Sequence, residues 1–345
     1  MGFTVSVRPS DKQFEVEDGE TILAAALRQG VVLPYGCKNG ACGSCKAQVL
    51  EGSIEQGPHS TNALKPEEAV RGQALMCCST AASDLVVQCR VVAAAGDIPV
   101  RKLPCRIASI TDAAPDVKIV SLQMPANERL QYLAGQYVEL LLRDGSRRSY
   151  SMACAPHLAE RIELHIRHMP GGKFTDALFG QTQPATKERD ILRFEGPLGT
   201  FFLREDGDAP IVLLASGTGF APIKAIIEHA MFKGIRRPMT LYWGGRRPHD
   251  LYMNTLCEQW AGELPGFRYV PVVSDAHPED GWTGRTGFVH RAVIEDIADL
   301  SGHQVYACGA PIVIDSAKRD FTAQCGLPED QFFADAFTSE ADQVR

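Results

Sequence analysis

Residues 35–45 read Tyr35-Gly36-Cys37-Lys38-Asn39-Gly40-Ala41-Cys42-Gly43-Ser44-Cys45, and after 31 further residues the chain carries Cys77-Cys78. A C-x4-C-x2-C run with a distant fourth cysteine is the spacing of a [2Fe–2S] centre, in which four thiolates hold two irons. The bridging sulfides of such a centre need backbone N–H donors pointed inward, and Gly36, Gly40, Ala41, Gly43 and Ser44 are small enough for the backbone to wrap that closely. A zinc site usually joins two C-x-x-C pairs, whereas Cys42–Cys45 is the one pair here; a redox dithiol would sit beside a βαβ pattern. Zinc and a dithiol remain as rivals, and spacing alone does not choose between Cys77 and Cys78. The remaining cysteines are scattered, and the total of eleven is odd, which argues against a disulfide framework.

Working outward, Phe3, Val5 and Val7 alternate like a strand, as do Phe14 and Val16; an apolar-faced helix over 21–29 follows a turn at Asp18-Gly19 and ends at Gly30. Strand-like 46–50 and 84–92 flank the polar stretch 52–72. This predicts a small α+β unit of β-grasp type over 1–93, followed by a linker over 94–102. From 103 to 205 short strands succeed one another, at 105–110, 117–123, 136–142, 147–153 and 161–167, separated by turns such as Asp144-Gly145 and Pro170-Gly171-Gly172; an antiparallel β-barrel is expected. Over 206–345 the rhythm becomes strand then helix (210–215 to 223–232, 239–243 to 251–260, 304–308 to 312–324), which predicts a parallel α/β sheet.

Composition narrows the functional classes. The 345 residues are 45% hydrophobic, enough for a core in each unit. With 35 Lys and Arg against 42 Asp and Glu the net charge is −7, which disfavours nucleic acid as a partner. No apolar run approaches the ~20 residues that span a bilayer, and no leader of signal-peptide type is visible, so no membrane association and a cytoplasmic location are expected. Residues 1–93 carry 8 Lys and Arg against 10 Asp and Glu, too balanced to indicate a docking partner's charge.

Three further segments carry chemistry. In Arg148-Ser149-Tyr150-Ser151 an Arg offers a cation to a pyrophosphate, a Tyr a ring to a flavin face and a Ser a hydroxyl to the flavin N5 edge, although an isolated match is more often an ordinary strand. Gly171-Gly172-Lys173-Phe174-Thr175 offers glycine-permitted amides and a hydroxyl to phosphates. The apolar run 211–215 enters Ser216-Gly217-Thr218-Gly219-Phe220-Ala221-Pro222 and then a helix, an arrangement in which free amides and the positive dipole end face an anion. A lone G-x-G is weak, and no acidic ribose partner stands at the usual remove.

In order along the chain, Arg148–Ser151, Gly171–Thr175, Gly217-Thr218-Gly219 with Ala221-Pro222, Tyr242-Trp243-Gly244-Gly245-Arg246 and Cys308-Gly309-Ala310-Pro311 resemble the two halves of the ferredoxin–NADP reductase family. Leu75-Met76-Cys77-Cys78-Ser79 with Ser83-Asp84-Leu85-Val86-Val87 resembles the end of plant-type ferredoxins, where the cysteine aligning with Cys77 binds iron. The resemblance implies Cys37, Cys42, Cys45 and Cys77 as metal ligands, with Cys78 a packing residue. It implies FAD at Arg148, Tyr150, Ser151, Gly172, Lys173 and Thr175, and a nicotinamide dinucleotide at Gly217, Thr218, Gly219, Pro222 and Gly309. Ser151 and Cys308 would then stand beside the reacting rings, and Phe337 resembles an aromatic that shields the flavin in parts of the family. Glu195-Gly196-Pro197-Leu198-Gly199 resembles the closing segment of the flavin barrel, a structural turn being an equally good reading.

At closer range Leu33-Pro34-Tyr35-Gly36-Cys37-Lys38-Asn39-Gly40-Ala41-Cys42-Gly43 and Gly196-Pro197-Leu198-Gly199 resemble the bacterial group of CDP-6-deoxy-Δ3,4-glucoseen reductases, similar in turn to reductase components of phenol and aromatic-ring oxygenases. The implied activity takes an electron pair from NADH, with NADPH as the alternative, and passes electrons singly through FAD and a [2Fe–2S] cluster to an acceptor protein, a dehydratase or an oxygenase component. Arg246 and Arg247 read either as 2′-phosphate ligands or as solvated charges. A free-flavin or quinone reductase and a non-enzymatic redox sensor are the other classes considered.

Overall fold

The structure, a computed structural model, describes residues 2–92, 98–158 and 160–338. Residues 94–97 of the expected linker, residue 93 and the last seven positions lie outside the described residues. The chain divides into two units, 1–99 with 335–345, and 100–334.

The first unit contains β1 (Phe3–Arg8), β2 (Gln13–Val16), α1 (Ile22–Arg28), β3 (Lys46–Glu51), β4 (Ile54–Gln56), α2 (Pro66–Val70), β5 (Gln73–Leu75), β6 (Ser79–Ala81) and β7 (Leu85–Gln88). The main sheet runs β2-β1-β7-β3-β5. The alternation noted in sequence becomes burial: Val5, Val7, Phe14 and Val16 face the core, joined by Ile22, Leu23, Ala25 and Ala26 of α1. The Thr21 side chain caps α1 by accepting from the Ala24 N–H at 3.3 Å, and Gly30 at φ +75° leads the chain out. The polar stretch 52–72, for which sequence named no element, holds β4 and α2. α2 buries no residue, so it leaves no apolar period to read; it is started by Pro66 and by the Glu68 carboxylate, which accepts from the Lys65 N–H at 2.8 Å.

The second unit begins with β8 (Arg101–Ala114), β9 (Val117–Gln123), β10 (Tyr137–Leu141), β11 (Arg147–Ser151), β12 (Ile162–Arg167), α3 (Lys173–Leu178) and β13 (Ile191–Leu198). The order β11-β10-β13-β8-β9-β12 is closed by the Met152–Leu164 bridge and by Ala153 N–H donating to Glu163 O at 2.8 Å, which makes the antiparallel barrel expected from sequence. Residues 195–198, open to reading as a turn, form the end of β13, which pairs with both β8 and β10. Its Gly196-Pro197 pair disguised a strand.

The same unit continues with β14 (Ile211–Ser216), α4 (Phe220–Lys233), β15 (Met239–Gly245), α5 (Asn254–Glu263), β16 (Phe267–Val273), β17 (Arg285–Thr286), α6 (Val289–Asp296), β18 (Gln304–Gly309), α7 (Pro311–Cys325) and the start of β19 (Phe332–Ala336), whose last two residues fall with the first unit. The sheet order is β17-β16-β15-β14-β18-β19, with β14 to β18 parallel where they pair. Strand order reverses between β14 and β18. In an open parallel sheet the crevice at the carboxyl ends of those two strands is where ligands bind.

Candidate functional site

The loop from α1 to β3 brings the cysteines of the first unit together. Cys37 N–H donates to Cys42 Sγ at 3.4 Å and Cys42 N–H to Cys37 Sγ at 3.3 Å, with Ser44 Oγ 3.4 Å from Cys42 Sγ. Cys45 and Cys77 form a second hydrogen-bonded pair of side chains. In each pair one thiol donates and is pushed up (Cys42, Cys45), while its partner accepts and is held down (Cys37, Cys77). Among the described residues no three His, Cys, Asp or Glu side chains are grouped to hold one metal ion. Two thiol pairs suit two irons. Gly40 at φ +77° allows the wrap: a Cβ there would lie 2.9 Å from Pro58 O and 3.2 Å from Cys78 Sγ. Cys78 stands beside the Cys45–Cys77 pair: its side chain hydrogen-bonds that of Cys77, and Gln56 Nε2 donates to its sulfur at 3.1 Å.

On the barrel, β11 sets Arg148 and Tyr150 on one face and Ser151 on the other, and Ser151 is buried opposite Tyr137. The Tyr150 ring lies 5.9 Å from that of Phe174 on α3, so the two sequence segments assigned to flavin meet. Burial raises the Tyr150 phenol. Gly172 caps α3, and a Cβ there would fall 2.5 Å from Thr175 Oγ1 and 2.8 Å from Met169 O. The Thr175 hydroxyl donates to Met169 O at 2.9 Å and accepts from Met169 N–H at 3.3 Å, so it closes the turn. Lys173 Nζ reaches Asp144 at 2.6 Å, tying α3 to the Asp144-Gly145 turn and holding the Asp144 carboxyl well below the usual range. Thr175→Val removes the acceptor of the Met169 N–H, while the Met169 carbonyl keeps the Gly172 N–H at 2.8 Å. It is expected to cost about 0.5–1.5 kcal/mol and to release FAD faster on dilution, followed by flavin fluorescence.

At the switch point the backbone is packed to contact. A Cβ on Gly219 would lie 2.1 Å from Cys308 O, and one on Gly309 (φ +138°) 2.6 Å from Ser216 O. The turn after β14 and the end of β18 therefore touch only because both residues are glycine. Gly217 O accepts from Trp243 Nε1 at 3.0 Å, and Trp243 stacks on Phe220 at 3.9 Å, which fixes the turn from below. Thr218 is half-exposed, Pro222 lies buried in the first turn of α4, and Cys308 is fully buried. Phe337 is half-buried and falls with the first unit.

Sequence reading missed Asp250, Arg167 and Asp280. The Asp250 carboxylate accepts from the N–H groups of Arg246 and Arg247 at 2.8 and 2.9 Å and from Arg167 Nη2 at 3.1 Å. The Arg247 guanidinium forks onto Asp280 at 2.9 and 2.7 Å, with His277 Nδ1 at 2.7 Å. An aspartate three residues beyond Arg247, with Pro248 between, was a readable capping signal; its partners in β12 are too distant in sequence to have been.

The chain matches three domain families: the 2Fe-2S iron-sulfur cluster binding domain over residues 5–82, the oxidoreductase FAD-binding domain over 104–203 and the oxidoreductase NAD-binding domain over 213–319. It is 42% identical to the CDP-6-deoxy-L-threo-D-glycero-4-hexulose-3-dehydrase reductase of Yersinia pseudotuberculosis, over 98% of this chain and 99% of that protein. It is 35% identical to reductase component 1 of a terephthalate 1,2-dioxygenase from Comamonas, over 98% of each. Among solved structures, the Amycolatopsis cytochrome P450 reductase GcoB superposes with a TM-score of 0.76 at 35% identity, over 98% of this chain and 99% of GcoB.

Proposed function

The chain belongs to the family of iron–sulfur flavoprotein reductases that join a [2Fe–2S] ferredoxin domain to FAD- and NAD-binding domains, and from that premise we propose that it is the NADH-dependent reductase of a CDP-hexulose dehydrase. The reading rests on 42% identity to a dehydrase reductase across the whole length, against 35% for the dioxygenase component. Bound FAD and a [2Fe–2S] cluster would supply the conversion of the electron pair of NAD(P)H into single electrons for an acceptor.

We assign residues 1–93 to the cluster domain, 94–102 to a linker, 103–205 to the FAD barrel and 206–345 to the nucleotide domain; the three family matches lie inside these bounds. Cys37 and Cys42 would hold one iron, Cys45 and Cys77 the other. Arg148 and Lys173 would neutralise the FAD pyrophosphate, Tyr150 would pack on the ring system, Ser151 would hydrogen-bond its edge, and Gly172 and Thr175 would shape the phosphate turn. Gly217, Thr218, Gly219, Pro222 and Gly309 would receive the dinucleotide, with Cys308 beside the nicotinamide. A cytoplasmic location is in keeping with a sugar-nucleotide substrate. Among the described residues no helix is long and apolar enough to cross a membrane.

The Arg247 guanidinium is already paired with Asp280 and flanked by Glu279 at 3.9 Å. A 2′-phosphate would have to displace these carboxylates, so NADH is expected to exceed NADPH in kcat/KM by at least about tenfold, the equivalent of ~1.4 kcal/mol. Asp280→Asn, which loosens Arg247, should narrow that ratio. The acceptor is tested by reconstituting NADH oxidation with the dehydrase and its sugar substrate: coupled product formation supports the proposal. Turnover only with the oxygenase of a ring-hydroxylating system overturns it in favour of the second reading, which the likeness to GcoB and the terephthalate component keeps in view.

A further inference from the structure

β12 reads Ile162-Glu163-Leu164-His165-Ile166-Arg167, and Ile162, Leu164 and Ile166 are fully buried in the barrel core. Period two therefore turns Glu163, His165 and Arg167 outward. All three engage the nucleotide half. Glu163 Oε1 lies 3.1 Å from Lys224 Nζ and 3.0 Å from His165 Nε2; His165 Nδ1 bonds the Tyr252 hydroxyl at 2.8 Å; Arg167 Nη2 donates to Asp250 at 3.1 Å. Lys224 stands on α4, one turn after the Gly217-Thr218-Gly219 segment, and is 6% exposed. Its ammonium also donates to Glu228 at 2.7 Å and to Ala153 O at 3.0 Å, while Glu228 accepts from the Ala155 N–H at 3.1 Å. Ala153 and Ala155 lie just beyond Ser151, so a single buried lysine ties the end of the flavin strand to the helix that follows the nucleotide turn.

A buried ammonium is costly unless paired. Burial pulls Lys224 down, but Glu163 and Glu228 more than offset this and it stays charged. Replacing such a network by packed apolar groups is often no less stable, so the charge is better explained by the single arrangement it enforces than by stability. We propose that Lys224 is a positioning residue, fixing through Ala153, Glu163 and Glu228 the distance and angle at which the nucleotide turn is presented to the flavin strand. This needs only the NAD(P)H and FAD chemistry of the family and is independent of the acceptor.

Lys224→Met keeps length and removes the charge. In stopped flow of the FAD-loaded chain, the limiting rate of flavin reduction by NADH is expected to fall about tenfold or more, since a misplacement of about 1 Å costs up to ~100-fold, while the NADH dissociation constant is little changed. In the FAD-free chain, trypsin should cut faster at Arg204, between barrel and β14. An unchanged limiting rate, or a loss residing entirely in the dissociation constant, overturns the proposal. If Lys224→Met fails to retain FAD, Glu163→Gln, which preserves shape, decides by the same readings.

Discussion

Cys42→Ser is expected to abolish electron delivery to a protein acceptor while leaving NADH-dependent reduction of ferricyanide, which FAD can serve directly, at the wild-type level. Cys42 and Cys37 are within hydrogen-bonding reach through both backbone N–H groups, so the pair is set up by the loop before any metal arrives. A serine oxygen in place of one sulfur leaves one iron with a hard, weakly acidic ligand. Since changes one shell further out already cost 10–100-fold in metal affinity, loss of the ligand itself should cost at least about 100-fold. The flavin and nucleotide segments lie in the other unit and are untouched. The measurement is paired: acid-labile sulfide and turnover with cytochrome c or the dehydrase on one side, ferricyanide reduction on the other. Retention of full acceptor turnover would favour a free-flavin or quinone reductase; equal loss of both activities would mean that the loop serves folding and not electron exit.

What the sequence made legible, and what it did not, follows from how far apart the interacting residues are. The cysteine loop was readable because nine residues contain three cysteines and the small residues that let them converge. Ile211 to Ala215 followed by Gly217 was readable because a buried parallel strand is an unbroken apolar run and the turn after it needs positive φ, which Gly217 adopts at +54°. β13 was obscured because Gly196 and Pro197 look like a turn although the strand is flanked on both sides. α2 was invisible because it buries nothing. Sequence offers the Thr175 hydroxyl, and only packing reveals that it also bonds Met169 within the turn. Arg167 meets Asp250 83 residues later, and Lys224 meets Glu163 across the same seam; no local pattern encodes either pairing. In β12 a trace was present, since the strict alternation of apolar residues with Glu163, His165 and Arg167 marks an outer face that is charged and, in the structure, covered.

Gly219→Ala is expected to lower kcat/KM for NADH by about 100-fold with FAD content unchanged. The added Cβ would sit 2.1 Å from Cys308 O, 2.5 Å from Cys308 C and 2.7 Å from Gly309 Cα, all of them backbone, so no side-chain rotation relieves the contact. β14 and β18 are hydrogen-bonded neighbours in register through Ala215 and Cys308, which prevents the sheet from opening to make room. The turn must move instead, by roughly the 1 Å that suffices for a ~100-fold loss in a transfer between positioned groups. Phe220 and Trp243 oppose that movement by stacking beneath the turn, so the strain falls on the Gly217–Gly219 amides that would meet the dinucleotide. Gly302→Ala is the control, because nothing lies within 4 Å of the Cβ it would gain. A Gly219→Ala protein that retains FAD yet reduces it with NADH at the wild-type rate would place the nucleotide elsewhere than the crevice between β14 and β18; slow reduction by NADH together with a cluster still reducible by dithionite would locate the defect at the entry of electrons.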